Sequence, residues 1–211
     1  MIKYIFLLFF SIFLLSGCGD ELSTSTTDDS ANITKALLTG TWTAKCSDNI
    51  TASTSALTEL VFYDSGDNLT ATTTYYSDLS CVTQSFIFRK KLNSLDLNNN
   101  KTTTSQNQII YELTASITDI SIEPKTSSAL SWNEVDNITG DSYCGLTIWR
   151  PGTETSVAGL TCGSITYNAV NDTHSDIIQI NSEKTFIRLG NITNAASTGY
   201  PKTLYTQEYY K

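Results

Sequence analysis

The sequence predicts an all-β chain: a closed antiparallel β-barrel of eight or more strands with a short N-terminal helix, a β-sandwich being the alternative. Three observations carry this. The segment IIYELTASIT sets Ile109, Tyr111, Leu113, Ala115 and Ile117 against Ile110, Glu112, Thr114, Ser116 and Thr118. That period of two gives a half-buried strand one apolar and one mostly polar face. Other short runs are rich in β-branched and aromatic residues, namely LTELVFYD, NLTATTTYY, SFIFRKK, CGLTIW, SITYN, DIIQI, TFIRL and LYTQEYY, as strands are. Turn-forming residues separate many of them: Asp64, Ser65, Gly66 and Asp67; residues 98–100, all Asn; Pro151 with Gly152; Gly163; Asn171 with Asp172. Closing the sheet on itself removes the open edges that such strands would otherwise present.

In chain order, Lys3 supplies a positive charge, and residues 4–15 form an apolar run broken only by Ser11. The run is shorter than the ~20 residues a spanning helix needs and reads as a signal peptide, residues 1–17. Leu15, Ser16, Gly17 and Cys18 match the bacterial lipobox. The small residues let a signal peptidase close on the backbone, and the Cys18 thiol can take a thioether-linked diacylglyceryl group. Residues 18–32 are nearly devoid of apolar side chains, which predicts a flexible tether reaching on the order of 20 Å. Two or more acyl chains, at about 0.8 kcal/mol per buried methylene, hold such a protein on a membrane. Gly19 occupies the place where inner-membrane retention signals carry Asp, which points to the outer membrane or cell surface.

Residues 33–211 are expected to form one domain. Within it NITKALLTG is the one helical piece, with Ile33 and Leu37 on a shared face and Gly40 as its stop. After IIYELTASIT the apolar phase shifts to Ile120 and Ile122, so a bulge is expected near Asp119. DSGDN reads as a hairpin turn, because it lacks the length and closing Glu of an EF-hand calcium loop. Beyond the tether lie Cys46, Cys81, Cys144 and Cys162. An even count in an exported chain favours disulfides, and four cysteines allow three connectivities. Cys46 with Cys81 and Cys144 with Cys162 is the expected pairing, since each pair is close in sequence and flanked by strand-like runs. Each loop closed this way is worth about 3–4 kcal/mol in the chain-entropy model. The absence of any C-x-x-C argues against zinc or thioredoxin-type chemistry.

A formal charge of −8, a pI near 4.5 and the lack of a basic cluster with interleaved aromatics speak against nucleic acid as a partner. No G-x-S-x-G, H-E-x-x-H or P-loop pattern occurs. An enzyme is therefore not expected, and no catalytic residue, metal ligand or cofactor is assigned. The sole histidine, His174, stands between Asp172 and Asp176 at two-residue spacing. On an extended segment the three would share a side and could hold a metal or orient an imidazole. The surrounding VNDTHSD is polar, however, and a solvated turn is the expectation. Asp28 and Asp29 sit in the tether, where nothing would raise a carboxyl pKa. The Asn-x-Thr triplets, for example those at Asn32, Asn49, Asn68, Asn137 and Asn191, follow from the Asn- and Thr-rich composition.

Gly40, Thr41 and Trp42 follow the short helix, with Cys46 after them. YYSDLSC at 75–81, CGLTIW at 144–149, VAGLTC ending at Cys162, and YPKTL before the terminal YYK complete an ordered set. In that order the segments resemble small bacterial exported lipoproteins and secreted proteins with a lipocalin-like barrel. More distantly they resemble the extracellular domain named after down-regulation by adenomatosis polyposis coli. The resemblance covers residues 40–211 and lacks the T-D-Y motif of true lipocalins. It implies an eight-stranded barrel closed at one end by Trp42, with an arginine over that ring, for which Arg188 and Arg150 are the candidates. It also implies an interior that often holds a small apolar molecule, and eukaryotic relatives that bind lipidated signalling proteins. Trp42, Trp132 and Trp149 are the candidates for the barrel end or pocket and read first as core plugs. The expected function is that of a membrane-anchored extracytoplasmic lipoprotein binding a small hydrophobic ligand or a lipidated protein partner. The alternative is a structural or interaction lipoprotein with a solid barrel, whose loops, such as residues 93–108, meet a partner.

Overall fold

Strand pairing runs in a closed ring. In the computed structural model, which describes residues 33–103, 109–127, 143–146, 149–191 and 199–211, a short helix α1 (Lys35–Leu38) leads into β1 (Gly40–Ala44) and β2 (Ser47–Asn49). There follow β3 (Thr54–Tyr63), β4 (Asn68–Tyr76), β5 (Gln84–Thr103), β6 (Ile109–Pro124), β7 (Thr155–Ser156), β8 (Thr161–Cys162) and β9 (Ile165–Thr166). The last three are β10 (Thr173–Ile180), β11 (Phe186–Leu189) and β12 (Tyr209–Tyr210). The order β1-β12-β11-β10-β6-β5-β4-β3 returns to β1 through the pairing of Trp42 with Leu60, so eight antiparallel strands close a barrel. β2 and β7 flank it on β3 and β6, and β8 with β9 forms a separate hairpin. One continuous ring leaves no room for the sandwich alternative. Cys18 and Trp132 lie outside the described residues. Among the described residues no helix is long and apolar enough to cross a membrane.

The interior follows from alternation. Leu60 and Phe62 of β3, Leu113 and Ile117 of β6, Ile178 and Ile180 of β10 and Ile187 of β11 are all buried. The expected bulge is present: Lys91 pairs with Asp119 but Leu92 with Ile117, leaving Thr118 as the extra residue. It turns the apolar phase of β6 from odd to even positions, so Ile120 and Ile122 are buried as well. The Thr118 hydroxyl donates back to Lys91 O at 3.0 Å.

The helix is shorter than its sequence signal. Thr34 caps it by accepting the Leu37 N–H at 3.2 Å, and Thr39 ends it. Gly40 is no helix stop; it opens β1 with φ 120°, and Leu38, rather than Leu37, is the fully buried leucine. The helix packs on the β3–β4 turn, where Lys35 meets Asp67 at 2.7 Å. Gly66 in that turn has φ 85°, and a Cβ there would stand 2.3 Å from Lys35 O, so only glycine permits the approach.

Both disulfides form as expected, Cys46–Cys81 and Cys144–Cys162. The first ties the β1–β2 connection to the β4–β5 loop. In that loop Asp78 accepts the backbone N–H groups of Ser80, Val82 and Thr83. Those bonds, Thr83 first, pull its carboxyl down to about 2.

Several local expectations change. The start of CGLTIW is a 3-10 turn (Tyr143–Gly145), with Cys144 and Gly145 at positive φ, so it is not a strand there; residues 147–148 lie outside the described set. Residues 98–100 are no turn and residues 93–103 no loop. They belong to β5, and their excess length is absorbed as register irregularities against β6. Residues 104–108 lie outside the described residues. Of LYTQEYY only Tyr209–Tyr210 is strand.

Candidate binding site

The barrel encloses a partly open cavity of about 260 Å³. Its walls follow the two-residue period of the strands. Leu60 comes from β3, Leu69 and Ala71 from β4, Leu92 from β5, Leu113 from β6 and Leu189 from β11. Tyr205, which also lines it, is 40% exposed.

Lys90, His174 and Asp176 line this largely apolar space, together with the phenols of Tyr205 and Tyr209. β10 begins at Thr173, earlier than the apolar run DIIQI suggests, so His174 and Asp176 are strand residues two apart on the inner face. The solvated turn expected there is thus corrected: backbone pairing with β6, His174 opposite Ala115 and Asp176 opposite Leu113, extends the strand through polar residues. Asp172 stays outside the strand and accepts the Ala169 N–H at 2.7 Å. Among the described residues no group of three His, Cys, Asp or Glu side chains is placed to hold a metal.

Asp176 is 6% exposed. Its Oδ1 accepts the N–H groups of Ile177 at 2.7 Å and Gly190 at 2.9 Å, and its Oδ2 lies 3.7 Å from His174 Nε2. Gly190 makes this possible, since a Cβ there would stand 2.5 Å from both Asp176 Oδ1 and Pro201 Cγ. Burial, with the Asp176 charge and Tyr205 adding to it, pushes the Tyr209 phenol up to about 12.

Lys90 enters by parity. Phe88, Lys90 and Leu92 share the inner face of β5, while Arg89 and Lys91 point outward. The Lys90 backbone pairs with Ala71 and Ile120, but its ammonium makes no hydrogen bond or ion pair with any other described residue. Burial draws its ammonium below the usual lysine range, opposed by the Asp176 charge. Lys90 is not among the residues that the sequence motifs mark as site candidates. The signal was available in SFIFRKK, where Phe86, Phe88 and Lys90 fall on one side of a strand.

The tryptophans that are described serve packing. Trp42 is fully buried, and its indole N–H donates to Leu38 O at 2.6 Å. The cation over its ring is Lys211, at 5.2 Å, which also donates to Leu37 O at 3.2 Å. Neither arginine candidate takes that place: Arg188 lies over Phe186 and pairs with Glu208, and Arg150 is exposed. The C-terminal lysine reaches the Trp42 end of the barrel because β12 pairs with β1. Trp149 donates to Tyr143 O at 3.1 Å and packs on that ring at 5.9 Å. Neither indole lines the cavity. No protein-family model matches the chain, and no curated protein matches it.

Proposed function

We propose that this chain is an extracytoplasmic lipoprotein, anchored through Cys18 to the outer membrane or cell surface, whose barrel binds a small apolar ligand. The cavity of about 260 Å³ with leucine walls is the observation that carries the reading. It lies just under the ~300–1,000 Å³ of ordinary small-molecule pockets, which favours a compact ligand or a short chain. A barrel filled by its own side chains, as the alternative requires, would leave no such space. The anchor rests on the lipobox residues Leu15 to Cys18 and on the two-signal logic of lipid attachment.

Titration of the full chain with a fluorescent short-chain fatty-acid analogue tests the binding. Saturable, displaceable binding is expected, and Ala71→Trp, which fills the cavity from β4, should abolish it. Unsaturable binding, or binding that survives Ala71→Trp, would refute the cavity as the site. Radiolabelled palmitate should enter the wild-type chain and fail to enter Cys18→Ala.

A further inference from the structure

We propose that Lys90 is the headgroup receptor of this cavity and that the ligand is an anionic amphiphile, a short to medium hydrocarbon chain ending in a carboxylate. The proposal rests on the cavity reading above and adds the ligand's charge and orientation.

Two kinds of surface meet in the cavity. Leu60, Leu69, Leu92 and Leu113 offer a chain only dispersion and exclusion of water, whereas Lys90 offers up to three N–H donors. On the same strand Arg89 and Lys91 each have two carboxylate partners, while Lys90 has none among the described residues. An ammonium held in apolar surroundings without a hydrogen-bonded partner is unfavourable, and a ligand that supplies one relieves that penalty.

Asp176 does not fill this role. Its Oδ1 is taken by two backbone N–H groups, and its Oδ2 faces His174. Its charge acts on Lys90 through space, without a hydrogen bond, so the ammonium keeps its N–H donors open to an incoming ligand. A carboxylate would form a charge-assisted hydrogen bond to it, stronger than a neutral alcohol can make. An alkylamine would bring a second cation beside the first and leave both unpaired.

The test holds chain length fixed and varies the head. Octanoate, octanol and octylamine are titrated into the purified full chain by calorimetry near neutral pH. Octanoate should bind about tenfold or more tighter than octanol, with octylamine weakest. In Lys90→Met the preference for octanoate should collapse to about twofold or less while octanol binds at least as well as before; Lys90→Arg should keep the preference. Equal affinities for octanoate and octanol in the wild type would overturn the headgroup assignment while leaving the apolar cavity standing. So would a preference that survives in Lys90→Met. Failure of all three compounds to bind would overturn the cavity reading together with it. The wild-type series does not depend on whether any variant folds.

Discussion

Arg89, Lys90 and Lys91 are neighbours on β5 yet stand in two different chemistries. On the outer face Arg89 reaches Glu123 at 2.8 Å and Glu154 at 3.2 Å, and Lys91 reaches Glu154 at 2.9 Å and Asp119 at 3.4 Å. Lys125 adds a further pair to Glu123, and the Ser121 hydroxyl donates to Glu154 at 2.7 Å. The ladder joins β5, β6 and the segment leading into β7. Each pair is partly solvated and contributes little by itself, but together they hold three elements in register. On the inner face Lys90 has apolar neighbours and an occupied carboxylate. A single step along a strand therefore separates a charge used for assembly from a charge left over, and the leftover charge marks the site.

The largest way to break the inner arrangement is Gly190→Ala. The new Cβ would collide with Asp176 Oδ1 and Pro201, forcing the buried carboxylate off its backbone donors. A loss of about 2–4 kcal/mol is expected in denaturant unfolding.

Next is Lys90→Met, which should stabilise the ligand-free protein by on the order of 1–2 kcal/mol, or roughly 2–8 °C in Tm. The sign follows from linkage. The folded-state pKa of Lys90 lies below its unfolded value, so its contribution is intact above the ordinary lysine range and is lost as pH falls through the lowered folded value. The advantage of Lys90→Met should open over that alkaline window and stay constant below it. Unfolding at a series of alkaline pH values checks this.

Glu154→Gln breaks the outer ladder and should do less. About 1 kcal/mol or under is expected, shrinking further in molar salt. The Glu154 carboxyl is held below its usual range, first by the Ser121 hydroxyl and then by Lys91 and Arg89, and that of Glu123 chiefly by Lys125. Their contribution is present above the usual carboxylate range and disappears as pH falls through the lowered values.

The smallest effect belongs to Asp78, whose loop lies away from both faces of the comparison. With its carboxyl held at about 2, its bonds to the loop should survive acidification through the usual value of about 4 and fail only as pH falls through about 2. The Thr83 amide shift, followed by NMR, reports this directly.

The pattern of legibility has a physical cause. β6 is readable because its side chains obey a local period, and β3, β4 and the apolar half of β10 because their runs are rich in β-branched and aromatic residues. The Thr118 bulge was readable because it breaks that period in β6, and the disulfides because cysteine spacing is local. The start of β10 with His174 is not, since a polar run looks like a turn until a partner strand pairs with its backbone. The Asn-rich stretch at 98–100 was likewise drawn into β5 by its pairing with β6. Lys211 over Trp42 depends on ring closure between the two ends of the chain, which no local pattern carries.

A crystal structure of the protein grown with octanoate would show directly whether Lys90 receives the ligand's head. One octanoate is expected inside the barrel, its chain between Leu60 and Leu113 and a carboxylate oxygen about 2.7–2.9 Å from Lys90 Nζ. A chain lying in the opposite sense, with its carboxylate in solvent and Lys90 still without a partner, would contradict that assignment.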